Sequence, residues 1–65
     1  MKIKYFEDTD TLFIQLRDVQ VSESRDLDED TVLDFDEAGQ ICAITLEHAS
    51  QRADIPDFSF ERVAA

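Results

Sequence analysis

Residues 31–46 read T-V-L-D-F-D-E-A-G-Q-I-C-A-I-T-L, two apolar-rich runs on either side of Gly39, the one glycine of the chain. The pattern predicts a β-hairpin, with Val32–Asp36 leading in, Glu37-Ala38-Gly39 turning and Gln40–Leu46 returning. A three-residue loop that ends in glycine fits a type I turn whose last residue sits left-handed as a G1 bulge, a conformation that needs no Cβ. Leu33 and Phe35 fall on one face of the first strand, and Val32, Asp34 and Asp36 on the other. Ile41–Leu46 is nearly apolar throughout, as expected of a central strand covered on both sides. Strict alternation would put Cys42, Ile44 and Leu46 on one face and Ile41, Ala43 and Thr45 on the other.

Upstream, Met1–Phe6 and Thr11–Arg17 alternate with a period of two and are separated by the polar, aspartate-rich Glu7–Asp10. That is a second hairpin. Ile3 and Tyr5 share one face of its first strand, and Leu12, Ile14 and Leu16 point inward from its second. The opposite face carries Phe6 and Phe13. Scattered exposed apolar groups are ordinary, but a one-layer sheet needs a second layer, so these aromatics are also candidates for a dimer or partner face. Val19 and Val21 suggest a short edge strand with charged residues following, a composition that discourages edge-to-edge pairing. Glu47–Ala53 favours helix over strand, for one or two turns at most, and Pro56 interrupts it. The tail, Phe58–Ala65, brings Phe58 and Phe60 at alternating spacing, to pack on the sheet of its own domain or on another chain.

A chain of 65 residues is one domain. The expected division is a β-domain over residues 1–53 and a tail over 54–65. Cys42 is the only cysteine and His48 the only histidine, so neither a disulfide nor a structural zinc site is available as a staple. Association is the remaining common device for so small a β-domain, and a homodimer or a standing partner is expected.

Six basic residues stand against sixteen acidic ones, for a formal net charge of −10. Such a chain repels phosphate backbones and anionic membrane surfaces, so no nucleic-acid or membrane partner is expected. A basic protein partner is compatible. The lone thiol, with neither a leader peptide nor an 18-residue apolar run, points to a cytoplasmic location. No cofactor motif is evident.

Chemistry-bearing patterns are few. Asp26, Asp28, Asp30, Asp34 and Glu37 fall at positions 1, 3, 5, 9 and 12 of the EF-hand calcium loop, with Leu33 at the hydrophobic eighth. Position six should be glycine and is Thr31, and the flanks read as strands. Alternating acids are also the solvated side of a strand in an acidic chain, so these residues are weak metal candidates only. Carboxylate pairs for acid–base chemistry need a cleft that so small a sheet hardly provides. Cys42 and His48 are a conceivable nucleophilic pair, but an apolar run usually holds an inert thiol. Lys2 and Lys4, with Tyr5 and Phe6, make a thin nucleic-acid signal that strand alternation explains.

Two stretches resemble the domain of unknown function 2283 family of small bacterial and archaeal proteins. In the first, Tyr5, Asp10, Leu12, Ile14 and Leu16 match its tyrosine, acidic turn and Asp-x-Leu-x-Ile-x-Leu opening. In the second, Leu33-Asp34-Phe35-Asp36, Gly39, the following apolar strand and Ala49-Ser50 match its later half. Ala43 stands where that family often has glycine, and Thr45 where it often has glutamate. The resemblance implies a compact β-meander with a short helical end, no inherited catalytic residue, and an antitoxin-like or accessory binding role.

The expectation is therefore an α+β, mainly β fold: a small antiparallel β-meander of four or five strands with a short C-terminal helix or turn. The expected function is that of a non-enzymatic protein–protein interaction module, antitoxin-like in covering a basic partner. Interface candidates are Phe6, Phe13, Phe58 and Phe60, with Gly39 a structural turn residue and no catalytic residue assigned. A divalent-cation-binding protein using Asp26–Glu37 and a minimal hydrolase are the alternatives.

Overall fold

The computed structural model describes residues 1–64. Five antiparallel strands form one sheet: β1 (Lys2–Phe6), β2 (Thr11–Gln15), β3 (Glu23–Asp28), β4 (Thr31–Phe35) and β5 (Ile41–Leu46), followed by a 3-10 turn at Ala49–Gln51. The order across the sheet is β1-β2-β5-β4-β3. Two sequential units, the β1–β2 hairpin and the β3-β4-β5 meander, are thus joined by the pairing of β2 with β5. The most apolar strand takes the centre, where neighbours on both edges satisfy its backbone.

The β4–β5 turn follows from Asp36 and Gly39. The Gly39 N–H donates to the Asp36 carbonyl at 3.0 Å, closing a four-residue turn. Gly39 then adopts φ +80°, and the Asp36 N–H donates to the Gln40 carbonyl at 2.9 Å. The Asp36 carboxylate accepts the Gln40 N–H at 2.9 Å and pairs with Arg17 across the same end.

Three details depart from alternation read off the sequence. Val19 and Val21 lie in the connection before β3, and the edge strand begins at Glu23. Its place is set by its neighbour: the Ser22 N–H donates to the Phe35 carbonyl at 2.8 Å, and the tight turn at Glu29–Asp30 fixes the hairpin register. Next, β4 pairs Asp34 with Ala43 but Phe35 with Ile41, so Cys42 is the extra residue of a β-bulge. Ile41 therefore shares a face with Phe35, opposite to that of Ala43. Finally, the short helix or turn expected within Glu47–Ala53 is a single 3-10 turn, Ala49–Gln51. His48 at φ +53° reverses the chain directly before it and sets its start.

Cross-strand partners share a face, so the registers define two. The apolar face carries Ile3, Tyr5, Leu12, Ile14, Leu33, Phe35, Ile44 and Leu46. The other, here called the outward face, carries Lys4, Phe13, Thr45, Val32 and Asp26 in one cross-strand row, with Phe6 and Thr11 beside it. After β5 the chain turns back over the apolar face, where Ala53–Ser59 line a groove with Ile3, Tyr5, Leu12 and Ile14. Among the described residues only Leu12, Thr31, Cys42, Ala43 and Ala49 are buried. Most of the sheet stays part-covered.

Candidate functional site

The most heavily bonded cluster joins the β1–β2 turn to the 3-10 turn. Asp10 sits at φ +53°, a left-handed position that aspartate tolerates better than most residues. Its carbonyl accepts the Ala49 N–H at 2.9 Å. Its carboxylate accepts the Tyr5 hydroxyl at 2.6 Å, the Ser50 N–H at 3.0 Å and the Ser50 hydroxyl at 2.7 Å. The Tyr5 hydrogen bond, followed by those from Ser50, holds the Asp10 carboxyl below the usual carboxylate range. The same bond to Asp10 raises the Tyr5 phenol.

Arg52 makes a second tie at the same end of the sheet. One guanidinium nitrogen donates to the Asp30 carbonyl at 2.6 Å and the Glu47 carbonyl at 3.3 Å, and the other to the Thr31 hydroxyl at 2.6 Å. The Glu47 N–H also donates to the Asp30 carbonyl at 2.8 Å. Asp10 and Arg52 thus fasten the segment after β5 to both neighbouring turns, and Ala49 between them is completely buried.

The chemistry of this clasp is that of a brace. The Ser50 hydroxyl donates its hydrogen bond directly to Asp10, and His48 is 3.6 Å from the Asp30 carboxylate. A serine activated by histidine would need the opposite arrangement, with the imidazole accepting from the hydroxyl.

The acids of the calcium-loop spacing do not converge. They span two strands and two turns, from β3 to the β4–β5 turn. Asp26 and Asp34 lie on the outward face, while Asp28 pairs with Thr31 across the bulge. Several are already engaged: Asp28 accepts the Asp30 N–H at 2.9 Å and Asp34 accepts the Ser24 hydroxyl at 2.6 Å. Hydrogen bonding, led by the Asp30 N–H, holds the Asp28 carboxyl below its ordinary range. Among the described residues no three His, Cys, Asp or Glu side chains are grouped as metal ligands.

Cys42 and His48 stand apart at opposite ends of β5. The Cys42 thiol is buried and donates weakly to the Asp34 carbonyl at 3.5 Å, whereas His48 is exposed.

Phe6 and Phe13 share the outward face, where Phe6 is 47% exposed. Phe58 and Phe60 belong to the segment over the apolar face, against Met1 and Ile3, and are 68% and 73% exposed. Arg25 lies over the Phe35 ring at 4.1 Å from its centroid, covering part of the apolar face with a guanidinium plane. Among the described residues no helix is long and apolar enough to cross a membrane.

Sequence reasoning missed the clasp as a unit. Asp10 and Ser50 were visible only as members of a resemblance, since forty positions separate them. Arg52 carried no signal at all.

A family model described as protein of unknown function (DUF2283) matches residues 2–50, from the first residue of β1 to the serine of the clasp. No curated protein and no solved structure matches the chain.

Proposed function

The chain belongs to the DUF2283 family of proteins of unknown function, and from that premise we propose that it is a non-enzymatic protein–protein interaction module that works through its outward face. The observation that carries this reading is the exposure of Phe6, next to Phe13 on a sheet whose other face receives the chain's own C-terminal segment. A flat face with an aromatic patch bordered by charged residues suits contact with another protein better than enclosure of a small molecule. The acidic remainder of the surface favours a basic protein among foreign partners, which would suit an antitoxin-like role.

The test is affinity capture with the full chain, comparing the wild type with Phe6→Asp/Phe13→Asp and with Phe58→Ser/Phe60→Ser. We expect a stoichiometric associate, whether a foreign protein or a second copy, that is lost with the first variant and kept with the second. Finding no stoichiometric associate, or one held equally by the outward-face variant, would end this reading.

A further inference from the structure

We propose that a second copy of this chain packs on the outward face, the two sheets lying face to face about a two-fold axis that runs along β5. This names the occupant of the interface proposed above and rests on that reading.

The argument starts from strand order. β5 is the middle strand of five, with β1 and β3 at the edges. A two-fold axis along β5 therefore lays each β1 over the β3 of the other copy. Lys4, Phe13, Thr45, Val32 and Asp26 are successive cross-strand partners in one row. The rotation sets Lys4 over Asp26 of the second copy, Phe13 over its Val32, and Thr45 over its own equivalent. A two-fold axis at right angles to the strands would instead stack like charges, lysine on lysine and aspartate on aspartate, and is disfavoured.

Charge also separates a second copy from a foreign basic protein. The strand residues of this face include two lysines, Lys2 and Lys4, and two aspartates, Asp26 and Asp34, on a chain of formal net charge −10. The face is the balanced region of an otherwise acidic surface. A cationic partner is drawn by the acidic surface around this face more than by the face itself, while a copy of the same face meets complementary edges. Among the described residues neither Lys4 nor Asp26 has an ion-pair partner within the chain.

Aligned sheets pack about 10 Å apart, within reach of a lysine opposite an aspartate. Five strands at about 4.8 Å spacing and five residues at about 3.4 Å give a footprint on the order of 300–400 Å² per chain. That is about half of what a standard interface buries on each partner, the range of weak, transient contacts, so the dimer forms and dissociates with concentration.

Sedimentation equilibrium of the full chain tests the proposal, with thermal melts to show that each variant is folded. The wild type should show a reversible monomer–dimer equilibrium. Lys4→Asp and Asp26→Lys, each of which sets like charges opposite one another, should weaken it by about tenfold or more. An equimolar mixture of the two variants should restore dimer, as should the double variant on one chain, because opposite charges face again in both. A wild type that stays monomeric to roughly millimolar concentration would overturn the proposal. So would a dimer indifferent to both substitutions, or two weakened variants that fail to restore it. If the wild type is monomeric yet captures a foreign protein through Phe6 and Phe13, the occupant is wrong and the interface reading stands.

Discussion

The two faces of this sheet solve the same problem differently. Both carry apolar side chains, and neither is thick enough alone to make a core. The apolar face is covered in part from within, by the clasp at Asp10 and Arg52 and by the segment Ala53–Ser59 over β1 and β2, while Ile3 and Ile41 stay exposed. The outward face keeps Phe6 and Phe13 and sets charge of one sign at each edge. The first arrangement spends polar side chains on holding the chain to itself. The second leaves Lys4 and Asp26 without an ion-pair partner among the described residues, which is the basis of the proposed contact with another chain.

Substitutions that act on one face alone can break this contrast. Leu12, the one large apolar side chain buried on the apolar face among the described residues, should matter most: Leu12→Ala is expected to cost about 2–4 kcal/mol in urea unfolding, from lost burial plus the cavity left behind. Arg52→Ala removes three hydrogen bonds that fasten the returning segment. Because the side chain is partly exposed, a loss of about 1–2 kcal/mol is expected. Hydrogen exchange should reveal it as faster exchange at Glu47 and Ala49, whose N–H groups meet the neighbouring turns.

Gly39→Ala should cost about 1 kcal/mol. Nothing lies within 4 Å of the added Cβ, so the penalty is conformational, from a left-handed alanine at φ +80°. It should fall equally on both faces, since the turn at Gly39 belongs to neither.

Acid sharpens the comparison further. Asp10, Asp28 and Asp36 are each held below the ordinary carboxylate value of 3.8 by hydrogen bonds, from Tyr5, the Asp30 N–H and the Gln40 N–H respectively. A carboxyl with a lowered folded pKa stabilises the fold at pH values above its unfolded pKa, and that contribution is lost as pH falls through the folded value. The melting temperature should accordingly be insensitive to these groups near neutrality and drop below about pH 4, with a shallower drop in Asp10→Asn. An equal acid dependence in that variant would show that the clasp carries none of it. The smallest effect is expected from calcium: the acids between Asp26 and Glu37 lie on different strands and turns, so millimolar calcium should leave the melting temperature within about one degree.

Much of the sheet was legible in the sequence because its signals are local. The period-two alternation of β1 and β2, the glycine-ended turn and the apolar β5 each declare themselves within a few residues. The family resemblance covered nearly the same span that the family model matches. What was hidden depends on partners distant in the chain. β3 is a strand because Phe35 and the Glu29–Asp30 turn set its register, while the more strand-like Val19 and Val21 have no strand partner among the described residues. Cys42 bulges because of how β4 lies beside it. The clasp was the hardest to read, since Asp10 and Arg52 look like ordinary surface charges until the turn at His48 brings the chain back to them.

The central claim, that the outward face and not the apolar face meets another chain, is tested most directly by methyl NMR of the wild type across a concentration series. Val32, Ala43 and Thr45 report on the outward face, and Leu12, Ile14 and Leu46 on the apolar one. The account predicts concentration-dependent shifts in the first set with the second set quiet. Shifts confined to Leu12, Ile14 and Leu46 would place the contact on the wrong face and contradict it.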